Sequence, residues 1–132
     1  MKYVVGIFFI LHGLVHLLYS AHSLKRIELE KNFIWPDNSW LFSNKLNIEF
    51  IKQIASIACV IVAIGFVIGG ILVFIEFSWS YWEIIASAII SSIIFFIFWD
   101  GSIRKIHSQG AIAILINIAI IIIVLYLNNT KE

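Results

Sequence analysis

The sequence has few charged residues for its length. Of its 132 residues, 13% are charged and 61% are hydrophobic, and the mean hydropathy is +1.00. Soluble domains normally carry about twice that share of charge, and a globule of this composition would have too few polar groups to cover its surface. The shortage of charge therefore excludes a disordered tail, a nucleic-acid-binding protein and an ordinary water-soluble enzyme. It predicts an integral membrane protein.

Cysteine is almost absent as well. Cys59 is the only one, so the chain forms no internal disulfide and has no Cys-x-x-Cys redox or zinc motif. Its place in the middle of a long apolar run predicts a small side chain in the core.

What the sequence does contain is four long apolar runs without Asp, Glu, Lys or Arg. Three of them exceed the roughly 20 residues that cross a bilayer. The third is long enough if Glu83 lies at headgroup depth, where Trp79, Tyr81 and Trp82 would form an aromatic belt. We expect an all-α membrane protein, a four-transmembrane-helix bundle with a longer first loop. It forms a single domain over residues 1–132, with spans at about residues 3–20, 50–75, 82–99 and 110–127.

The first span resembles a secretory signal, because Lys2 precedes an apolar run that ends in small residues. However, His12 and His16 interrupt the run, and the hydrophobic region of a signal peptide rarely contains histidine. We therefore expect a retained helix.

The basic residues predict the orientation in the membrane. With four spans, both termini and the second loop share one side, which holds Lys2 and Lys131. The first and third loops share the other side and hold the remaining basic residues: Lys25, Arg26, Lys31, Lys45, Lys52, Arg104 and Lys105. Because basic loops stay in the cytoplasm, we expect the first and third loops to be cytoplasmic and both termini to lie outside the inner or plasma membrane.

The first loop contains a turn signal, Trp35-Pro36-Asp37-Asn38. Trp35 and Trp40 on either side are expected to anchor the loop at the membrane interface. The preceding residues alternate between polar and apolar, which allows either a short interfacial strand or a short helix in this segment.

Small residues mark the helix-packing faces. Gly65 and Gly69 form a Gly-x-x-x-Gly motif in the second span, and Ser87 and Ser91 share one face of the third. Such residues let helices approach closely. We expect them to pack within the bundle rather than to form a dedicated dimer interface.

His12 and His16 are the sharpest local feature, because ionisable groups inside a bilayer are costly and mark candidate sites. Their spacing places both rings on one helix face, and Tyr19 extends that face. The pair offers two metal ligands, but Gly13 stands where a zinc protease has its Glu. Histidines on one face cannot bind a haem iron from opposite sides, so a bis-histidine haem would need another helix or chain. Alternatively, His12 and His16 form hydrogen bonds to neighbouring helices and fix the packing of those helices.

Depth along the predicted helices brings further polar residues to the same level. Counted from the first-loop side at 1.5 Å per residue, His12, Cys59, Ser92 and Asn117 form one layer. Polar residues nearer the surface would complete a funnel open to the cytoplasm: His16, Tyr19, His22, Gln53, Asp100, Arg104 and His107. Asp100 would pair with Arg104 one turn later or orient His16.

The first helix, Ile7-Phe8-Phe9-Ile10-Leu11-His12-Gly13-Leu14-Val15-His16-Leu17-Leu18, resembles the opening of DoxX-like membrane proteins. It is similar also to uncharacterised small bacterial four-helix proteins with an H-G-x-x-H-L motif. In these, the third helix ends on a Trp-Asp pair, as with Trp99-Asp100, and the fourth carries a Gly and then an Asn, as with Gly110 and Asn117. The resemblance implies a four-helix bundle associated with membrane redox chemistry, with His12, Gly13 and His16 as motif positions. It identifies no catalytic residue.

Three functions remain open. In the first, the protein binds a quinone, a haem or another small molecule as an accessory subunit of a membrane redox system. His12 and His16 would contact or ligate that molecule, and Tyr19, Asp100 and Asn117 would support them. In the second, it is a non-enzymatic scaffold that packs against a larger membrane partner or a second copy. In the third, it is a small dimeric transporter. Whether it catalyses a reaction is open, and activity on its own is not the expectation.

Overall fold

The computed structural model describes residues 2–130, and within them the chain is all-helical. Four α-helices run from Lys2–Ser23 (α1), Ile48–Phe74 (α2), Ser80–Ile97 (α3) and Ala111–Asn129 (α4). A 3₁₀ helix, Ile103–Gln109, precedes α4. Each α-helix is long and apolar enough to cross a membrane. The chain is therefore a multi-pass membrane bundle, as predicted. Lys131, one of the two basic residues expected on the side of the termini, lies outside the described residues.

The predicted spans differ from the helices by one to three residues at each end. α1 continues to Ser23 rather than ending near residue 20, and α3 begins at Ser80 and ends at Ile97, whereas the prediction was about residues 82–99. The 3₁₀ helix was not predicted at all. Gly110, between the 3₁₀ helix and α4, has φ 94 and ψ 10, a left-handed conformation that glycine adopts without strain. It lets the chain turn directly from one helix into the next.

The helices pack in chain order. α1 lies on α2, α2 on α3 and α3 on α4, while α1 and α4 barely touch along their length. The main core is apolar and spans all four helices: Phe9, Val62, Phe66, Val73, Tyr81, Ile84, Ile85, Ala88, Ile120 and Val124. The bundle is consequently open between its first and last helices.

Glycines bring α1 and α2 unusually close. A Cβ atom on Gly13 would lie 2.8 Å from the backbone oxygen of Ala63, and one on Gly6 would lie 2.8 Å from the backbone oxygen of Gly70. Small residues remove the side chains that would hold two backbones apart. The two helices are therefore in direct backbone contact at two levels.

The predicted small-residue faces pack inside the chain. A Cβ on Gly65 would lie 2.3 Å from Ser87 Oγ, and one on Gly69 would lie 2.7 Å from Ile84 Cγ1. Ser87 and Ser91 are buried. The faces join α2 to α3 and to the rest of the bundle, so they do not form an external docking surface for a partner.

The first loop, residues 24–47, contains neither a strand nor a helix among its described residues. The expectation that Trp35 anchors the loop at the interface is wrong, because its side chain is fully buried and its ring lies 4.4 Å from that of Phe95. The indole fills the end of the bundle nearest the first loop. Trp40 is half exposed, and its Nε1 donates to the Phe96 carbonyl at 2.9 Å.

The same loop satisfies the carbonyl groups that a helix leaves free at its C-terminus. Ser39 Oγ donates to the Ile97 carbonyl at 2.6 Å, and the Trp40 N–H donates to the Trp99 carbonyl at 2.8 Å. Lys105 lies 3.5 Å from the Asp37 carboxylate. These contacts attach the first loop to the end of α3 and to the third loop.

Candidate intramembrane binding site

A set of hydrogen bonds joins α1, α3 and α4 in the middle of the bundle. His16 Nδ1 lies 3.1 Å from the His12 carbonyl oxygen, and His16 Nε2 lies 2.8 Å from Ser91 Oγ. Asn117 Nδ2 donates to the same Ser91 Oγ at 2.8 Å. His12 Nε2 lies 3.4 Å from Asn117 Oδ1, which makes this the longest contact of the set. We call these four residues the polar circuit.

The polar circuit lies in apolar surroundings. His16, Ser91 and Asn117 are each at most 2% exposed, whereas His12 is only partly buried. The Phe66 ring lies 4.7 Å from the His12 ring and 5.4 Å from the His16 ring. Hydrogen bonds are electrostatically stronger in such a dry interior, and an unmade one costs more. The circuit therefore fixes the relative positions of three helices.

Ser91, not Ser92, belongs to this polar layer. The prediction placed Ser92 beside His12 and Asn117 and assigned Ser91 only to packing. In the structure, the Ser92 hydroxyl donates to the Ala88 carbonyl of its own helix at 2.9 Å. Depth alone does not say which way a side chain points, because consecutive residues on a helix are about 100° apart. Cys59, also placed in this layer, is a buried core residue.

A groove of about 430 Å³ runs between α1 and α4 at the end nearest the first loop. The α1/α4 groove is lined by Val15, Leu18, Tyr19, Leu29, Glu30, Asn32, Phe33, His107, Ser108, Gly110, Ile112 and Ala113. Apart from Tyr19, its helical walls are apolar, and its other polar residues come from the first loop and the 3₁₀ helix. It lies one helical turn above the polar circuit, since Val15 follows His12 by three residues and Ala113 precedes Asn117 by four.

Tyr19 lines the groove and also contacts the aromatic rings at the end of the bundle. Its ring is 5.1 Å from Phe95 and 6.2 Å from Trp35. Its hydroxyl has no hydrogen-bond partner among the described residues, and it is not among the buried unpartnered atoms. An accessible phenol of this kind offers both a donor and an acceptor to a molecule in the groove.

Asp100 lies outside the polar circuit. It was expected to pair with Arg104 or to orient His16, but it accepts from the Ser102 N–H at 2.7 Å and lies 3.7 Å from Lys105 Nζ. Burial raises the pKa of this carboxyl group, but interactions with Gln109, Ser102 and Lys105 outweigh that effect and hold the pKa below its usual value. Its role is to join the end of α3 to the third loop.

The polar residues do not form a funnel open at the end of the bundle. Trp35 occupies that end, Gln53 is exposed at the surface, and His22 contacts the loop residue Phe33 at 5.1 Å between rings. The groove between α1 and α4 lies beside this end, and residues of the first loop and the 3₁₀ helix form its rim.

The donor set does not fit a haem or a metal ion held by both histidines. A ligating imidazole needs a free nitrogen lone pair, and both nitrogens of His16 already form hydrogen bonds. Among residues 2–130, no three His, Cys, Asp or Glu side chains are grouped closely enough to hold a metal ion. The predicted ligation by His12 and His16 together therefore has no geometric basis here.

No family model matches the chain, and no curated protein or solved structure matches it either. The resemblance to DoxX-like proteins therefore stays a prediction. The assignment to a class depends on the chain's own fold, which is a four-helix membrane bundle with an open side.

Sequence reasoning missed two parts of the site. Ser91 connects the polar circuit. The sequence shows a serine in mid-span at this position, but it does not show which helix the side chain faces. Trp35 closes the bundle, and a tryptophan before a proline in a loop carries no signal of burial. Trp35 Nε1 and Gln109 Nε2 are buried without a hydrogen-bond partner, which a sequence does not reveal.

Proposed function

We propose that the protein binds a small membrane-soluble molecule with a polar head, of the quinone class, in the α1/α4 groove. It would act as an accessory subunit of a membrane redox system rather than as an enzyme on its own. The observation that carries the proposal is the groove itself, which lies between two apolar transmembrane helices and is lined by Tyr19, whose hydroxyl has no hydrogen-bond partner among the described residues.

The size and lining of the groove support this class of ligand. Small-molecule sites are commonly about 300–1,000 Å³, mostly apolar, with a few polar groups that orient the ligand, and the groove is about 430 Å³. Val15, Leu18 and Ile112 would contact an apolar ring or tail. Tyr19 and the polar residues at the rim would contact the head. The resemblance of the first helix to DoxX-like proteins agrees with a redox-active lipid.

Filling the groove with a larger side chain should weaken binding. Ile112 and Ile122 are both on α4 and both 62% exposed, but only Ile112 lines the groove. We expect Ile112→Trp to weaken binding of decylubiquinone by about tenfold or more, which corresponds to about 1.4 kcal/mol, while Ile122→Trp leaves it unchanged. Quinone retained by purified protein after gel filtration, extracted and quantified by chromatography, measures the difference. Equal retention by both variants would contradict the proposal, as would no retention by the parent protein.

The scaffold and transporter alternatives have less support. The small-residue faces that a scaffold would use are buried between α2 and α3, and α1 to α4 are each continuous helices rather than the broken helices of a transporter. A partner or a second copy would have to cover the apolar surfaces of α1 and α4, where lipid already meets the same chemical requirement.

We also propose that the first and third loops face the cytoplasm and that both termini lie outside the inner or plasma membrane. The proposal depends on the excess of basic residues in these two loops. In that orientation the polar rim of the groove lies at the cytoplasmic leaflet, where a head group would meet Glu30 and His107.

A further inference from the structure

We infer that His12 is a hydrogen-bond acceptor for the bound molecule, so that the site selects a ligand carrying a hydroxyl donor, such as a hydroquinone, over its quinone. This inference rests on the proposed function and adds the chemical form of the ligand and the atom that recognises it. Its basis is the direction of each hydrogen bond in the polar circuit, which the His12 carbonyl, an acceptor only, determines.

The direction at His16 follows from its carbonyl partner. A carbonyl oxygen only accepts, so His16 Nδ1 carries a hydrogen and donates it to the His12 carbonyl at 3.1 Å. In a neutral imidazole the other nitrogen then has the lone pair. His16 Nε2 must therefore accept, and the Ser91 hydroxyl donates to it at 2.8 Å.

The remaining directions follow from Ser91. Because its only hydrogen is used, Ser91 Oγ accepts from Asn117 Nδ2, which places the Asn117 carbonyl oxygen towards His12. The reverse amide orientation would leave His16 Nε2 facing Ser91 without a hydrogen between them. His12 Nε2 must therefore be the protonated nitrogen, and it donates to Asn117 Oδ1 at 3.4 Å. Every hydrogen of the polar circuit is then assigned, from His16 through Ser91 and Asn117 to His12.

His12 Nδ1 is left with a lone pair and no partner. Two buried side-chain atoms without a hydrogen bond are found among the described residues, and they belong to Trp35 and Gln109. His12 Nδ1 has no partner and is not one of them, so it is accessible from outside the protein. His16 has opposite roles for its two nitrogens and is fully enclosed. The two histidines are therefore not equivalent, and only His12 can receive a ligand.

The neutral form of His12 is favoured by its surroundings. Its ring stacks on Phe8 at 6.1 Å and meets the Phe66 ring edge-on at 4.7 Å between centroids. The polar side chains in contact with its ring are His16 of α1 and Asn117 of α4, and Ser91 of α3 contacts both of these; none of the three is a carboxylate. A charge is costly at this depth in a membrane without a counter-ion. A neutral acceptor in hydrocarbon binds a hydroxyl hydrogen and is repelled by a carbonyl oxygen.

His12 does not line the groove itself, but it lies on the same side of α1, one helical turn before the groove residue Val15. Tyr19 follows it by seven residues, two helical turns or about 10 Å along the axis, and Val15 of the groove wall lies between them. A ligand that contacts both Tyr19 and His12 would therefore extend from the groove by about one helical turn towards the polar circuit. Both polar contacts are then made by one side of α1.

The histidine tautomers can be tested without any ligand. In protein labelled with ¹⁵N in its imidazole rings, we expect His12 to be protonated at Nε2 and His16 at Nδ1, and nitrogen NMR distinguishes the two forms. Assignment uses His22→Gln and His107→Gln to remove the loop signals. Protonation of His12 at Nδ1 would overturn the inference.

The ligand preference is tested with decylubiquinol under anaerobic conditions, compared with decylubiquinone and with the dimethyl ether of the quinol. We expect the quinol to bind about tenfold or more tightly than either compound, the effect of one hydrogen bond. His12→Trp keeps an N–H donor for Asn117 and has no acceptor nitrogen, and His12→Phe removes both groups. Both variants should lose the preference but keep residual binding of all three compounds.

The outcomes separate the inference from the proposed function. Equal binding of quinol, quinone and ether by the parent protein would overturn the inference while the groove proposal stands. No binding of any compound would overturn both. If His12→Phe does not fold, His12→Trp, which keeps an N–H donor for Asn117 but has no acceptor, carries the test, and an unchanged quinol preference in that variant would contradict the role of His12.

Discussion

At the scale of residues, one serine decides whether the polar circuit is complete. Ser91 Oγ accepts from Asn117 and donates to His16, so it serves α3 and α4 and links both to α1. Removing the hydroxyl leaves two buried polar groups without a partner in a dry interior. Ser92, its neighbour, bonds only to the carbonyl of Ala88 in its own helix.

We therefore predict that Ser91→Ala lowers the free energy of unfolding by about 1–3 kcal/mol, the usual cost of unsatisfied buried groups. Ser92→Ala is the matched control and should change it by less than about 0.5 kcal/mol. Unfolding by SDS in mixed micelles measures both variants. Equal effects of the two substitutions would show that the circuit contributes nothing to stability.

Much of the residue-level prediction was within reach of the sequence. The cost of polar groups in a bilayer singles out His12, His16 and Asn117, and helix periodicity places the two histidines on one face. Whether a serine points at them depends on the rotation of α3, which the packing of Gly65 and Gly69 on that helix decides. The rotation of α3 depends on contacts between helices, which the order of residues along the chain does not show.

At the scale of elements, α1 and α2 form the tightest pair because glycines remove the side chains between them. Gly13 faces the Ala63 carbonyl, where a Cβ would lie 2.8 Å from a backbone atom that cannot turn away. Ser20 and Ser56 add a hydrogen bond at 2.7 Å between the same helices. The pair is therefore held by both close packing and polar contact.

Gly13→Ala should force the two helices apart and lower the free energy of unfolding by about 1–3 kcal/mol, the range for overpacking. It should also weaken the polar circuit, because His12 and His16 are on the same helix. Leu14→Ala, at a position that is 44% exposed, is the control, for which we expect a change below about 0.5 kcal/mol. Unfolding in SDS compares them, and a neutral Gly13→Ala would contradict the close approach.

At the scale of the whole molecule, the bundle is closed at one end and open at one side. Trp35 fills the end near the first loop, while α1 and α4 stay apart along the groove. The same end carries the loops with most of the basic residues. Orientation in the membrane therefore determines at which leaflet the groove lies.

The proposed orientation predicts the labelling of single cysteines in intact cells. Ser43 is exposed in the first loop and Ser78 is exposed in the loop between α2 and α3, while the native Cys59 is buried. A membrane-impermeant maleimide should label Ser78→Cys in intact cells and Ser43→Cys only after lysis. The opposite pattern would reverse the topology, and equal labelling of both would contradict a single orientation.

The sequence by itself determined the class of protein, because the shortage of charge and four apolar runs leave no other environment than a membrane. It determined the polar positions in mid-span as well, since burying them in lipid is costly wherever the helices lie. The tertiary structure alone decided which side of the bundle carries the groove and that the Trp35 side chain fills one end. It also decided that Ser91 and Asn117 connect the two histidines, of which His16 accepts and His12 donates a hydrogen bond through Nε2. These properties depend on helix rotation and on the path of a loop, which are fixed by contacts between residues far apart in the chain.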